Sequence, residues 1–213
     1  EEMSIFIQDG EVIVGHPASR PRSAEVFPEV NIEFMKEIDL FETREYNRLK
    51  VSPEVKATLL ELEPYWQGKC PHDYLMQRRS EAIRQGFAMG LLSDPHEWSG
   101  FAHVAMDYRK LLTCGVEGMQ AQIAAAKGSL KPEDPMYEDK LAFYQAEEEI
   151  CQGMLAIARR YAALSREKAL QERNPERRQE LLTMAEVLDH VPAKPAATYQ
   201  EALQTVWLMQ VIP

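Results

Sequence analysis

Apolar positions along the 213-residue chain fall into two regimes. Over residues 4–16 (Ser-Ile-Phe-Ile-Gln-Asp-Gly-Glu-Val-Ile-Val-Gly-His), two runs rich in β-branched residues flank Asp9-Gly10. Asp-Gly tolerates the positive φ angles of a tight two-residue turn, so this pattern predicts a β-hairpin. Pro17, Pro21 and Pro28 oppose regular structure and predict an extended connector completing residues 1–30. From about Asn31 to the end, over 31–213, the spacing is helical. Ile150, Met154, Ile157, Tyr161 and Leu164 step by four, three, four and three, one stripe along a long helix. Leu181, Ala185 and Leu188 continue the pattern after Asn174-Pro175, and Leu203, Val206, Trp207 and Gln210 begin another helix.

The punctuation agrees with this reading. Ser52-Pro53, Asp134-Pro135 and Asn174-Pro175 each set a capping side chain before a proline. At the first helical position the missing N–H is not needed and φ is already fixed, so three helix starts are predicted. Thr198-x-x-Glu201 is a capping box, in which each side chain satisfies a backbone donor at the helix start. The final helix carries bulky apolar residues on several faces, which predicts burial in a larger body. The chain is therefore expected to be incomplete at both ends, consistent with its start at Glu1-Glu2-Met3. No internal repeat or low-complexity tract is visible.

Charge narrows the partners. The net charge is -10, with 45% apolar and 27% charged residues. An acidic surface repels phosphate backbones and anionic bilayers, so neither nucleic acid nor membrane is an expected partner. Apolar runs fall far short of the roughly 20 residues of a membrane span, and the acidic start has no signal-peptide core. Cys70, Cys114 and Cys151 are too widely spaced for a CxxC metal site or a disulfide framework. They predict a reducing, cytoplasmic setting and three small buried side chains.

Candidate chemistry is sparse. Gly15, Gly68, Gly86, Gly90 and Gly100 build no phosphate loop, and the five histidines show no HExxH spacing. Glu147, Glu148 and Glu149 read as a solvated helix face. Phe27, Tyr65, Trp66 and Trp98 are pocket candidates for which core packing is the simpler role. One stretch stands apart, from Ser99 to Tyr108, where a loop carries His103 into a helix entered near Asp107. A histidine at such an entry exchanges hydrogen bonds with a pocket, and an acid in the first turn is favoured by the helix dipole. From spacing alone, the simpler reading is a packing His103 and a capping Asp107.

Six segments in series carry a resemblance. Ile13-Val14-Gly15 resembles an "ELIVG" stretch. Phe27-Pro28-Glu29 with Glu37-Ile38-Asp39 resembles "P-E … EID". Pro64-Tyr65-Trp66-Gln67-Gly68-Lys69 resembles "PYWxGK", and Ala102-His103 through Asp107-Tyr108 resembles "GHxxxDY". Arg160-Tyr161-Ala162 with Arg177-Arg178-Gln179-Glu180-Leu181-Leu182 resembles "RYAxLA … RRxELL". Val191-Pro192, Pro195-Ala196 and Thr198 through Trp207 resemble "VPxxPAxTFxEALQxxW". In this order they are similar to the start of the glycyl radical enzymes, the pyruvate formate-lyase-like superfamily, and most of all to its diol and glycerol dehydratase branch.

The resemblance implies a fold that is mainly α with a short N-terminal β-hairpin, the outer helical part of a larger α/β barrel. It implies a radical lyase or dehydratase acting by C–O cleavage on a small hydroxylated substrate. His103 is implied to hydrogen-bond the hydroxyl that leaves or migrates, and Asp107 to sit beside it. Ala102 stands where the motif has glycine, which leaves the substrate open beyond glycerol and propanediol. The catalytic cysteine and radical glycine are expected downstream of this segment, which by itself is expected to be inactive and to bind no cofactor or metal. The complete enzyme is expected to carry a glycyl radical installed by a radical S-adenosylmethionine activating enzyme, and to form a homo-oligomer, a dimer. Formate acetyltransfer and C–N, C–S or C–C cleavage are the alternative chemistries. The non-enzyme alternative is a truncated helical module that binds a partner chain, and a plain helical scaffold is the alternative outside the family.

Overall fold

The computed structural model describes residues 4–18, 20, 21, 23, 26, 30, 32–93 and 106–211. They group into two compact units, one built from 1–23 and 106–213, the other from 24–105.

In the smaller unit a 3₁₀ helix, Glu33–Leu40, precedes α1 (Pro53–Trp66), α2 (Pro71–Arg78) and α3 (Glu81–Ala88). Ser52 caps α1 by accepting from Val55 N at 3.3 Å, with Pro53 at the first position, as its sequence predicts. Ile32, Met35, Ile38, Phe41, Leu59 and Cys70 form the core, with Trp66 packed against it. Trp66 thus has a packing role, whereas Tyr65 is exposed and stacks under Lys69 Nζ at 3.8 Å from its ring centre. Phe27 and Trp98 lie outside the described residues.

The larger unit consists of α4 (Tyr108–Gly128), α5 (Tyr137–Gln171), α6 (Pro175–His190) and α7 (Tyr199–Val211), with residues 4–16 lying against them. Asn174 Oδ1 caps α6 by accepting from Glu176 N at 2.9 Å and Arg177 N at 3.3 Å. The capping box of α7 forms in full. Glu201 N donates to Thr198 Oγ1 at 3.2 Å, and Thr198 N to Glu201 Oε2 at 2.9 Å. Asp134-Pro135 departs from prediction: α5 starts at Tyr137, and Asp134 Oδ1 accepts from Met136 N at 2.9 Å in a turn before the helix.

The predicted hairpin is absent, and there is no strand among the described residues. The Asp9-Gly10 turn does form, with Glu11 N donating to Gln8 O at 3.3 Å. Its second arm, however, spends its backbone groups on helix side chains instead of on the first arm. Val14 N donates to Gln204 Oε1 at 2.9 Å, and Gln204 Nε2 returns a bond to Val14 O at 2.7 Å. Trp207 Nε1 donates to Gly15 O at 2.9 Å, and His16 N donates to the Tyr161 hydroxyl at 3.1 Å. A segment whose donors and acceptors are already paired gains nothing from a ladder. Gly15 permits the approach: at φ +137, a Cβ there would meet Val211 Cγ2 at 3.0 Å and the Trp207 ring at 3.2 Å.

The predicted stripe of α5 holds in part: Tyr161 is in the core and Met154, Ile157 and Leu164 pack against it, but the stripe's first member does not. Ile150 is 57% exposed, and the fully buried positions are Cys151, Ala158, Tyr161, Ala162, Ser165 and Ala169. Leu181, Met184 and Leu188 of α6 join the apolar ones among these residues in one core cluster. In α7 the buried residues are Gln204, Thr205, Leu208 and Met209, while Leu203 and Trp207 remain about two-fifths exposed (41% and 42%).

Candidate functional site

The site predicted at the entry to α4 is built from the first turn of that helix. Asp107 is its N-cap, and Oδ1 accepts from Lys110 N at 3.0 Å. The capping role expected from spacing is therefore filled. A carboxylate has about four acceptor positions on two oxygens, so Oδ2 remains available at this exposed end. His103 lies outside the described residues. Tyr108 follows Asp107, and its hydroxyl is hydrogen-bonded by Gln210 Nε2, joining the first turn of α4 to α7.

Seven residues beyond Tyr108, α4 breaks. Gly115 has φ +66 and ψ 176, which divides Tyr108–Cys114 from the rest of the helix. The loop leaving α6 enters the break. Val116 N donates to Pro192 O and Glu117 N to Ala193 O, each at 2.9 Å, and Ala196 N donates to Leu112 O at 3.2 Å. Sequence reasoning passed over Gly115. The residue sits mid-helix, where glycine costs about 1 kcal/mol relative to alanine, and that cost was the available signal.

Two of the three cysteines are buried as expected, and Cys114 is only half-buried. Cys70 is fully buried, and burial, with a hydrogen bond from its Sγ to Asp73 Oδ2 at 3.1 Å, pushes its thiol pKa up. Burial, reinforced by Glu147 and Glu148, does the same to Cys151. Both are held as neutral thiols, poor nucleophiles and poor metal ligands. Burial likewise raises the Tyr161 phenol above its ordinary value. His190 Nε2 lies 3.0 Å from Pro195 O, and His16 Nε2 lies 2.8 Å from Glu11 Oε1 while its ring stacks on Phe6. No cluster of three metal-ligating side chains occurs among the described residues. A groove of about 730 Å³ between Val12-Ile13, α6 and α7 is lined by Met184, Tyr199 and Leu203 together with Glu176, Glu180 and Thr183. None of the described helices is long and apolar enough to cross a membrane. Among the described residues, Asp107 is an exposed helix cap with one carboxylate oxygen engaged.

The family model for pyruvate formate lyase-like proteins matches residues 1–213, and the chain belongs to that family, the glycyl radical enzymes. Among curated relatives, it is 31% identical over 213 residues to a probable dehydratase of Escherichia coli, covering 98% of this chain and 26% of that protein. It is 29% identical to a (2S)-3-sulfopropanediol dehydratase of Klebsiella oxytoca, over 94% of this chain and 25% of the other. Among solved structures, it superposes with a TM-score of 0.92 and 29% identity on the Roseburia inulinivorans protein described for 1,2-propanediol dehydration, over 98% of this chain and 26% of that one. The B12-independent glycerol dehydratase of Clostridium butyricum matches with a TM-score of 0.91 and 27% identity, over 99% of this chain and 27% of the other. The chain spans about a quarter of the length of these relatives.

Proposed function

We propose that this chain is the N-terminal helical part of a glycyl radical dehydratase that removes water from a small hydroxylated substrate by radical C–O cleavage. The observation that carries the reading is similarity along almost the whole chain to proteins named for dehydration of sulfopropanediol, glycerol and 1,2-propanediol. In this reading the segment binds and does not itself react. His103 hydrogen-bonds the departing hydroxyl, and Asp107, with one oxygen engaged as a helix cap, offers the other to a neighbouring substrate hydroxyl. The glycyl radical, installed by a radical S-adenosylmethionine activating enzyme, initiates chemistry in segments beyond these 213 residues. The complete protein assembles as a homo-oligomer.

A second reading has its own support. Isethionate sulfite-lyases, among them that of Nitratidesulfovibrio vulgaris at 29% identity over 99% of this chain, are relatives of similar rank. They favour C–S cleavage of a hydroxylated sulfonate. The deciding experiment activates the full-length protein anaerobically and supplies 1,2-propanediol, glycerol and isethionate in parallel. An aldehyde formed from a diol without sulfite supports dehydration, and sulfite from isethionate supports the second reading. A full glycyl radical signal with no product from these three, nor from (2S)-3-sulfopropanediol or trans-4-hydroxy-L-proline, the substrates named for further relatives, overturns both.

A further inference from the structure

An uninterrupted α4 would send the amides of Val116 and Glu117 to the carbonyls of Leu112 and Thr113. They go instead to Pro192 and Ala193, while the Leu112 carbonyl is taken by Ala196 N, so the loop bonds to α4 on both sides of the break. Gly115 at φ +66 and ψ 176 occupies backbone space essentially restricted to glycine. A Cβ there would lie 2.4 Å from Ala193 O and 2.6 Å from Lys194 C, both backbone atoms that cannot swing aside. The loop is anchored in turn. Val191 N donates to Val187 O at 2.8 Å and Lys194 N to His190 O at 2.9 Å, and Val191 is fully buried.

From this arrangement we infer that Gly115 and the Val191–Ala196 loop are positioning elements that aim the Tyr108–Cys114 segment, and with it the Asp107 carboxylate, independently of the body of α4. The inference rests on the proposal that Asp107 belongs to the substrate site. The lever is long enough to matter. Eight residues at about 1.5 Å rise put Asp107 about 12 Å from the break, so a change of about 10° in the segment's direction moves it about 2 Å. Displacements of about 1 Å from productive geometry can lower rates about a hundredfold.

The test uses the activated full-length protein, with 1,2-propanediol or isethionate as substrate, whichever it turns over. Three variants are compared. Asp107→Asn keeps a good helix cap and removes the charge. Gly115→Ala drives a Cβ into the backbone of Ala193 and Lys194. Ala196→Pro deletes the donor to Leu112 O and adds nothing beside Gly115, so it decides the matter if Gly115→Ala fails to fold. Expected is a fall of at least tenfold in kcat/KM, mostly through KM, for all three. For Ala196→Pro, faster amide hydrogen exchange confined to 108–114 and an unchanged glycyl radical yield should accompany it. Unaltered exchange over 108–114 in Ala196→Pro overturns the inference without reference to activity. So does faster exchange with kcat/KM within twofold of wild type while Asp107→Asn is impaired. Unchanged kinetics in Asp107→Asn instead removes Asp107 from the site, and the proposed role of this end of α4 with it.

Discussion

Gln204 is 1% exposed, and its amide makes both hydrogen bonds that Val14, itself fully buried, has in place of a strand partner. Replacing Gln204 by methionine keeps the length and apolar stem of the side chain and removes both bonds. Each buried backbone group left unpaired costs about 1–3 kcal/mol, so two cost about 2–6 kcal/mol; backbone relaxation brings the expectation to the lower half of that range. At about 1.4 kcal/mol per factor of ten, the smallest of these values corresponds to roughly 30-fold more frequent opening of the segment. Amide hydrogen exchange of the full-length protein, resolved on peptides covering residues 12–16, measures this opening directly. The cost should be local: exchange in the middle of α5 should be unchanged, because the Tyr161 contact to His16 is a single bond at the segment's far end. If residues 12–16 exchange at the wild-type rate in Gln204→Met, the amide clamp does not hold the segment, and the account of why it forms no hairpin fails.

Other outcomes follow from the same geometry. Asp107→Ala removes the cap of α4 and should destabilise its first turn by about 0.5–2 kcal/mol, with Asp107→Ser restoring stability; thermal melting of the two variants checks this. Tyr161→Phe removes the acceptor for His16 N while leaving the ring in place, and should cost about 1 kcal/mol in denaturant unfolding. Cys70 and Cys151, at 0% and 2% exposure and with raised thiol pKa values, should stay unmodified by iodoacetamide in the native protein near pH 8 and react after unfolding, as read by mass spectrometry. These two thiols and the Tyr161 phenol all have folded pKa values above their usual 9.0 and 10.0. A raised folded pKa means the native state holds the proton more tightly, so this contribution to stability is complete below about pH 9 and is lost as pH rises through the folded values. Unfolding midpoints should therefore fall on the alkaline side, and Tyr161→Phe should flatten part of that fall.

What the linear sequence determined was local. Ser52-Pro53, Asn174-Pro175 and the Thr198–Glu201 box act within one turn of the chain, and each starts a helix where its residues say it should. Leu181, Ala185 and Leu188 are buried as their spacing predicts. The order of short segments from Ile13 to Trp207 was enough to place the chain in its family, because such motifs are read without knowing how they pack. Tertiary structure decided everything that depended on a partner distant in sequence. The β-branched runs around Asp9-Gly10 have strand propensity, but Gln204, Trp207 and Tyr161 claim the second arm's backbone groups first, and no local pattern signals a competitor 190 residues away. On α5 the spacing found Tyr161, Met154, Ile157 and Leu164, which lie in or against the core, but missed the small buried positions for a related reason. Close helix packing selects small side chains such as Ala158, Ala162 and Ser165, which a search for bulky apolar spacing overlooks in favour of Ile150. The break at Gly115 becomes intelligible only with the Val191–Ala196 loop seated in it, since the need for a missing Cβ is set by Ala193 and not by the helix.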